Sequence, residues 1–463
     1  MKTTILLVLL AMFVIQRSNA QFTKLIDFDG INKGSYPAGS LARSGTTLFG
    51  MTNNGGTSAK GVIFKVNISN DGFTKLLDFD DVSKGSGPTG TLILSDSVMY
   101  GMTYSGGLNS LGVLFKINTN GSGFRKVVNF DGVSKGSYPA GSPTLSGKVL
   151  YGMTELGGTN NMGVIFKVDT DGNEFKKLGD FDGVPKGSIP YGDLTLSGST
   201  LYGMTELGGA NNRGIVFKMD TDGTNFSKLV DFDGNSGSYP FGSLILAGTV
   251  LYGMTSEGGT KNHGVLFKVN VNGTGFSKLD EFADSIQHGS HPLGSLTLSG
   301  TTLFGLTAHG GIYGKGVIFK INTDGTGFTK LLDFDGTNHG SVPLGSFTLN
   351  GNVLYGMTSG GGTNSKGTVF QYVFDNETTG VMNNSFERYR IYPNPASDRL
   401  LIESEQTQIN RIEMITMEGQ LVKSQICHSS DVTINVADLS KGVYIIKVYD
   451  LTGGVSVNKI LKQ

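Results

Sequence analysis

The sequence predicts an all-β protein in which a seven-bladed β-propeller is followed by a small β-sandwich. The main observation is a tandem repeat of about 51 residues, which occurs seven times and begins each time near a phenylalanine. The second is a change in composition after Phe374, where the repeat ends. The repeat starts at Phe22, Phe73, Phe124, Phe175, Phe226, Phe276 and Phe328.

Each unit contains four short runs typical of β-strands, separated by turn residues. In the third unit these runs are 142–145, 148–154, 163–168 and 175–181, and tight turns are predicted at Ser146-Gly147 and Asp171-Gly172. Four-stranded units of this length favour a propeller over a solenoid. The chain begins with an outer-strand sequence at 22–28, and the seventh unit ends at Phe370 without one. The first strand is therefore expected to complete the last blade, so that residues 21–374 form a closed ring.

Composition and charge exclude several classes of function. The formal net charge is −1 and only 16% of residues are charged, so there is no basic field for nucleic acid or anionic lipid.

The one cysteine, Cys427, cannot form an intramolecular disulfide. Glycine is abundant, with 71 residues among 463, about twice its average share. This is consistent with many short strands joined by tight turns.

The first 20 residues have the pattern of a signal peptide. Lys2 precedes an apolar run at 5–15, and small residues around Ala20 indicate the cleavage site. The run is shorter than the roughly 20 residues that a membrane-spanning helix needs, and no later segment is expected to span a membrane. We therefore expect a protein secreted by a Gram-negative bacterium or held at its outer-membrane surface.

Three recurring motifs resemble a known family. L-Y-G-M-T-x-x-G-G, G-V-I-F-K and F-D-G-x-x-K-G-S-x-P recur over residues 22 to about 374, and together they are similar to the GloVer (choice-of-anchor) repeats of secreted bacterial proteins. The resemblance implies a propeller outside the cell. It supplies no catalytic residue.

The tail forms a separate domain in this interpretation. Residues 375–390 read as a polar linker, and strand-like runs follow at 399–403, 411–417, 432–436, 442–449 and 455–461, with a turn at Glu418-Gly419. Five short strands in 391–463 predict a sandwich, and an adhesive domain is one possible identity for it.

Motifs in the tail resemble the type A sorting domain of type IX secretion. They are the I-Y-P-N-P-A run, the G-V-Y-I-I-K strand and the final K-I-L-K. The resemblance implies an immunoglobulin-like sandwich whose partners are the secretion translocon and a sortase. The motif residues are Tyr392, Pro393, Asn394, Pro395, Gly442, Val443, Tyr444 and Lys462.

Recognisable catalytic and metal-binding motifs are absent from the sequence. There is no G-x-S-x-G, H-E-x-x-H, Walker loop or paired-cysteine site, so no cofactor or catalytic residue is predicted and enzymatic activity is not expected. No metal is predicted either, because loop histidines on neighbouring blades are expected to spread beyond one coordination sphere. The nearest candidates are His263, His288, His291 and His309.

The leading functional hypothesis is a binding or adhesion module for an extracellular glycan or protein. Loops such as 155–162 and 182–191 share one face and vary between units, whereas the opposite face carries uniform tight turns. Exposed aromatic or imidazole groups there would contact the ligand, although burial of these rings between blades is an alternative. The candidates are Tyr36, Tyr104, Tyr138, Tyr191, Tyr239, His291 and Tyr313.

Two other functions are compatible with the sequence. One is a carbohydrate-active enzyme on the same face, with a general acid and base drawn from Glu155, Glu206 and Glu257. The other is a structural component of a surface layer.

Overall fold

A computed structural model describes residues 21–69, 72–374, 389–404, 408–416, 420–450 and 455–463. The expected signal peptide (1–20), the Glu418-Gly419 turn and nearly all of the expected linker (375–390) lie outside these residues. The chain divides into two compact units, residues 1–374 and 375–463. No helix long and apolar enough to cross a membrane occurs in the part of the chain that the structure describes.

The first unit consists of short strands. The first thirteen are β1 (Gln21–Asp27), β2 (Ala42–Ser44), β3 (Thr47–Thr52), β4 (Val62–Asn67), β5 (Gly72–Asp78), β6 (Ile93–Ser95), β7 (Val98–Thr103), β8 (Val113–Asn118), β9 (Arg125–Asn129), β10 (Thr144–Ser146), β11 (Val149–Thr154), β12 (Val164–Asp169) and β13 (Lys176–Asp180). The next eight are β14 (Thr195–Ser197), β15 (Thr200–Thr205), β16 (Ile215–Asp220), β17 (Ser227–Asp231), β18 (Ile245–Ala247), β19 (Val250–Thr255), β20 (Val265–Asn270) and β21 (Ser277–Glu281). The last seven are β22 (Thr297–Ser299), β23 (Thr302–Thr307), β24 (Val317–Asn322), β25 (Thr329–Asp333), β26 (Thr348–Asn350), β27 (Val353–Thr358) and β28 (Thr368–Val373).

These strands form seven four-stranded antiparallel sheets within the described residues, which confirms the predicted propeller. Blades 1 to 6 are β2–β5, β6–β9, β10–β13, β14–β17, β18–β21 and β22–β25, each in sequence order from the innermost strand outward. Blade 7 has the order β1-β28-β27-β26, so the first strand supplies its outermost position. The pairing runs from Gln21 opposite Val373 to Asp27 opposite Thr368.

Two of the repeated motifs meet as a cross-strand pair. In blade 3, Gly152 of Y-G-M-T pairs with Phe166 of V-I-F-K, and both belong to the predicted strands. A Cβ atom at position 152 would lie 2.6 Å from the Phe166 ring, so only glycine leaves room for the phenylalanine. The equivalent glycine of every blade meets its phenylalanine in the same way, which explains why the two motifs recur together.

Phenylalanine pairs join each blade to the next. The phenylalanine after an outermost strand is fully buried and packs edge-on against the third-strand phenylalanine of the following blade, as in Phe79 on Phe115, with ring centroids 5.5 Å apart. The recurring methionines of the L-Y-G-M-T motif, such as Met51, are buried in the same inter-blade clusters. The set closes on itself, because Phe28 packs on Phe64 at 5.3 Å. The other pairs are Phe130–Phe166, Phe181–Phe217, Phe232–Phe267, Phe282–Phe319 and Phe334–Phe370.

Seven glycines form a ring where the chain enters the innermost strands. A Cβ atom on any of them would lie 2.1–2.6 Å from the carbonyl oxygen of the equivalent glycine in the next blade. The ring is complete, because Gly345 of blade 7 meets Gly39 of blade 1. The members are Gly39, Gly90, Gly141, Gly192, Gly242, Gly294 and Gly345.

A second ring of hydrogen bonds follows the glycines. The residue after each glycine donates its backbone N–H to the side-chain oxygen of its equivalent in the next blade, and Ser346 returns to Ser40 at 2.7 Å. Six of the seven side chains are serine or threonine, and the seventh is Asp193. The members are Ser40, Thr91, Ser142, Asp193, Ser243, Ser295 and Ser346.

The second unit is built from two sheets. Its strands are β29 (Tyr389–Tyr392), β30 (Arg399–Ser404), β31 (Ile409–Thr416), β32 (Leu421–Ser429), β33 (Asp431–Asn435), β34 (Gly442–Asp450) and β35 (Val455–Lys462). One sheet has the order β29-β30-β33 and the other β32-β31-β34-β35. Both contribute to one buried core, for example Leu400 from the first and Ile446 from the second. The five predicted strands are present, and the sequence interpretation missed β29 and β32.

The glycine ring predicts a position-specific cost of a single methyl group. We expect Gly192→Ala to destabilise the propeller by about 1–3 kcal/mol, since its Cβ would lie 2.3 Å from the backbone oxygen of Gly242. Gly179→Ala is the control, because its Cβ would contact only the flexible end of Met219, at 3.2 Å. Thermal unfolding of both variants measures the effect. Equal midpoints would show that the ring does not limit the approach of the blades.

Candidate functional site

Long loops gather on one face of the propeller. In blade 3 the loop between β11 and β12 is hydrogen-bonded to the connection that enters the blade, with the Gly158 N–H donating to the Gly132 carbonyl at 2.7 Å. The opposite face carries tight turns such as the one at Gly147, where φ is +57°. The long-loop face therefore offers the more varied surface.

Two residues of each unit occupy equivalent positions on this face. The lead position is x in G-S-x-P, and the post-strand position follows the second strand. In blade 3 they are Tyr138 and Glu155, and the Glu155 N–H donates to the Tyr138 carbonyl at 3.0 Å. Tyr138 also donates its N–H to Leu111 of the preceding blade at 2.9 Å. Each lead residue thus connects two blades through its backbone.

Every lead residue has a left-handed backbone, with φ between +53° and +63°. Even the β-branched Ile189 and Val342 adopt it, so the backbone is set by the blade and the side chain is free to vary. We call the surface formed by the two positions the mouth. Its lead residues are Tyr36, Gly87, Tyr138, Ile189, Tyr239, His291 and Val342, and its post-strand residues are Asn53, Tyr104, Glu155, Glu206, Ser256, Ala308 and Ser359.

Blades 2 to 4 bring tyrosines and carboxylates together at the mouth. The rings of Tyr104 and Tyr138 lie with centroids 5.2 Å apart. Burial and the adjacent Glu155 carboxylate raise the pKa of the Tyr104 hydroxyl. Tyr191 precedes the ring glycine Gly192, and burial together with Glu155 and Glu206 raises its pKa. Three predicted ligand residues thus share one cluster.

The two carboxylates of this cluster are half-buried. Burial raises the pKa of Glu155, and a hydrogen bond with Tyr104 partly opposes that shift. Burial and the negative charge of Glu155 raise the pKa of Glu206 to about 7. A carboxyl group with this pKa exchanges its proton near neutral pH.

A cavity of about 520 Å³ opens beside the cluster. It extends from the loop of blade 1 to the connection that enters blade 4. Its lining residues are Asn53, Asn54, Ala59, Lys60, Ser86, Gly87, Thr89, Tyr104, Ser105, Glu155 and Tyr191.

Three of the histidines proposed as weak metal candidates meet beside the mouth, where His291 is a lead residue. The His291 ring lies 5.9 Å from that of His263 and 5.8 Å from that of His309. Burial and these two neighbours lower the pKa of His291, so it is uncharged at neutral pH. Nδ1 of His291 is buried and has no hydrogen-bond partner in the part of the chain that the structure describes. No group of three or more metal-ligating side chains is close enough to hold an ion among the described residues.

Several predicted residues lie apart from both clusters. His288 stacks on Phe328 at 4.2 Å and faces Asp280 at 3.1 Å, both at outermost strands. Tyr313 is 58% exposed at the tip of a loop whose Ile312 N–H donates to Asp333 of an outermost strand. These side chains are distant in the blade from the innermost strands.

The other two tyrosines are lead residues outside the main cluster. Tyr36 is 40% exposed, and the Lys366 ammonium lies 5.0 Å from its ring centre. Tyr239 is half-buried, and its carbonyl accepts a hydrogen bond from the Ser256 hydroxyl at 2.9 Å.

The three glutamates considered for catalysis are not equivalent. Glu155 and Glu206 are post-strand residues, but Glu257 follows that position, which Ser256 occupies. Glu257 instead forms a backbone β-bridge with Ser238, as Leu156 does with Ser137. The three glutamates are evenly spaced in the sequence, but the fifth unit is one residue shorter before this point, so the position equivalent to Glu206 is Ser256.

One functional candidate was missed by the sequence interpretation. Asp193 is the single carboxylate among the seven side chains of the second hydrogen-bond ring, which starts at Ser40. It accepts a hydrogen bond from the Ser142 N–H at 2.5 Å. Burial raises its pKa in spite of hydrogen bonds from Ser142 and Ser243. Alignment of the seven units on G-S would have revealed it.

The sorting-motif residues converge although they are far apart in sequence. The side-chain N–H of Asn394 donates to the Lys459 carbonyl, and its side-chain oxygen accepts from the Leu461 N–H, each at 2.9 Å. Gly442 pairs with Lys462, and Val443 and Tyr444 pair with the two residues before it. The Lys462 ammonium donates to the Gln463 carbonyl at 2.7 Å. The motif is thus one structure around the last strand, flanked by the exposed Tyr392 and the two prolines, Pro393 and Pro395.

Comparisons with solved structures show the fold alone. The extracellular domain of a protein described as a hybrid two-component system from B. thetaiotaomicron is 12% identical, with a TM-score of 0.51, covering 96% of this chain and 59% of that one. The corresponding domain described as a one-component system gives 12%, 0.50, 96% and 58%. This chain therefore spans less than two thirds of either structure. A search of curated proteins found no match.

Sequence profiles cover both units. The Gloeobacter/Verrucomicrobia repeat matches residues 11–155, 133–285 and 247–398, and the secretion system C-terminal sorting domain matches residues 390–463. The sorting domain indicates export by the type IX system, as the tail motifs predicted. The chain therefore belongs to the Gloeobacter/Verrucomicrobia repeat family, as a propeller that carries a C-terminal sorting domain.

Proposed function

We propose that the protein is an exported propeller that binds an extracellular glycan or protein at its mouth. The observation that carries this proposal is the contrast between repeated framework and varied mouth. All seven blades keep the same backbone hydrogen bonds at the lead and post-strand positions, yet the side chains there include tyrosine, carboxylate, imidazole and aliphatic groups. Residues that the fold does not require are available for recognition.

The structure supports this proposal with a concave surface of suitable chemistry. The cavity is within the size range of small-ligand sites, and tyrosines offer flat apolar faces with polar tips. The candidate aromatic residues at the mouth are half-buried or exposed rather than enclosed between blades. A purely structural role in a surface layer would leave this asymmetry without a purpose.

The tail gives the proposed route to the ligand. We propose that the translocon recognises the second unit, that a sortase removes it, and that the propeller is then released or held at the outer-membrane surface. The signal peptide proposed for residues 1–20 would direct the first step across the inner membrane.

Removal of the second unit should stop export without unfolding the propeller. A chain truncated before Ile391 keeps the compact first unit, so we expect it to accumulate, folded, in the periplasm. Cell fractionation and protease resistance measure both properties, with the full-length chain as control. Arrival of the truncated chain in the medium or at the surface would contradict the sorting role.

Substitutions at the mouth should weaken binding selectively. A glycan and protein screen of the mature chain would identify a ligand, and Tyr138→Ala and Tyr191→Ala should each weaken its binding about tenfold or more, or about 1.4 kcal/mol. Lys148→Ala, at an exposed turn on the opposite face, is the control. If Lys148→Ala weakened binding and the tyrosine variants did not, the ligand would bind the other face.

A carbohydrate-active enzyme is the second candidate function. Glu206, with a pKa of about 7, meets the requirement for a general acid near neutral pH, and Glu155 is the neighbouring carboxylate. On this hypothesis a glycan hydrolysis assay shows activity that falls as the pH rises above 7 and is lost in Glu206→Gln. Glu257→Gln should keep activity, because that side chain is outside the cluster. Activity unchanged in Glu206→Gln would exclude this mechanism.

A further inference from the structure

We propose that the mouth between blades 2 and 4 binds an organic ammonium group, with Glu155 and Glu206 as counter-charges and the tyrosine rings beside them as walls. This inference rests on the proposed binding function and specifies the chemistry of the ligand. The same group occurs in the lysine side chain of a protein and in an amino sugar of a glycan.

The other blades show that the fold does not require these carboxylates. The equivalent residues of blades 1, 5, 6 and 7 are Asn53, Ser256, Ala308 and Ser359. The backbone bond is nearly the same with either type of side chain, at 3.0 Å from Glu206 N–H to the Ile189 carbonyl and 3.1 Å from Ser256 N–H to the Tyr239 carbonyl. The Glu155 carboxylate has a hydrogen bond with Tyr104, but the loop backbone gains nothing from a half-buried carboxylate at either position, whereas its desolvation is a cost.

No lysine or arginine within the described ranges forms an ion pair with Glu155 or Glu206. Lys60 lines the same cavity, but its ammonium is 3.2 Å from Asp81. Two carboxylates that repel each other without a protein cation favour an external cation, which would offset both the repulsion and the desolvation. An anionic ligand would increase the repulsion, and a neutral one would leave it unchanged.

The neighbouring tyrosine rings favour an organic cation over an inorganic one. The faces of Tyr104 and Tyr138 are inclined by 32° at a centroid distance of 5.2 Å, and Tyr191 lines the same cavity. Aromatic faces attract ammonium groups and pack against the carbons attached to them. A small inorganic cation would gain from the carboxylates and little from the rings.

The titrating groups that face Glu206 give the proposal a pH signature. They are Glu155 from blade 3 and Tyr191 from the connection into blade 4. A cation binds the ionised form of Glu206, so affinity should rise as the pH increases from 6 to 8 and level off above that. If binding is linked to the loss of one proton from Glu206, the affinity rises by up to about tenfold per pH unit below the pKa of Glu206.

Calorimetry of the mature full-length chain tests the proposal with two pairs of probes. The first pair is Nα-acetyl-lysine methylamide and its neutral analogue Nα-acetyl-norleucine methylamide, and the second is glucosamine and glucose. We expect at least one ammonium probe to bind about tenfold more tightly than its neutral analogue at pH 7, where both amino groups are protonated, and the pH dependence is measured with the lysine probe. The probe that binds identifies the source, lysine or amino sugar.

Variants locate the binding. Glu206→Gln and Glu155→Gln should each weaken binding of the ammonium probe about tenfold, whereas Glu257→Gln should not. Glu206→Gln should also abolish the pH dependence, and Glu155→Gln, which removes one of the two causes that raise the pKa of Glu206, should move it to lower pH. Glu206→Ser introduces the residue that blade 5 carries at this position, so it provides a second variant that suits the fold, and thermal unfolding verifies both.

Two results would overturn the inference. One is equal binding, or no binding, of both members of each pair to the folded protein. The other is ammonium binding that survives both glutamate substitutions. If a screened ligand without an amine lost affinity in Tyr138→Ala, the proposed binding function would stand and the ammonium inference alone would fail.

Discussion

The close approach of backbones at the glycine ring is the constraint on which the propeller depends. Each ring glycine lies where a methyl group would overlap the carbonyl oxygen of the next blade. The following residue then accepts the N–H of its equivalent in the preceding blade, and this chain of bonds closes from Ser346 to Ser40. Because neither ring has an end, the position of each blade is fixed by its two neighbours rather than by its own sheet.

The buried phenylalanines extend this constraint outward. Their inter-blade pairs place the hydrophobic cores between sheets, so no blade has a complete core of its own. Such a framework needs only a few residues per unit, which recur as the repeat motifs. The residues between the motifs are released from structural demands. The mouth, formed by lead and post-strand residues on a fixed backbone, is where this freedom is used.

The sequence was sufficient for the framework and insufficient for the site. A repeat of nearly constant period predicts strands, blade number and closure by 22–28, because each depends on local pattern and order. The grouping of Tyr104 with Glu155 depends on contacts between different blades, which no local pattern reveals. Glu257 was misplaced because the fifth unit is shorter, and His288 was grouped with histidines that lie at different radial positions in the blades. In the tail, β29 was missed because it is four residues long and its first two residues were assigned to the linker. β32 was missed because its polar residues obscure the alternation of a half-buried strand.

The titratable side chains at the mouth differ from blade to blade. Burial and the neighbouring His263 and His309 lower the pKa of His291, so this imidazole does not neutralise the carboxylates of blades 3 and 4 at neutral pH. The carboxylates reduce their own charge, since Glu206 retains its proton up to about neutral pH. A ligand that supplies positive charge would remove the need for that proton. On the proposed binding of a cation, recognition and protonation would therefore compete for the same carboxylate, and the affinity of the mouth would depend on the pH outside the cell.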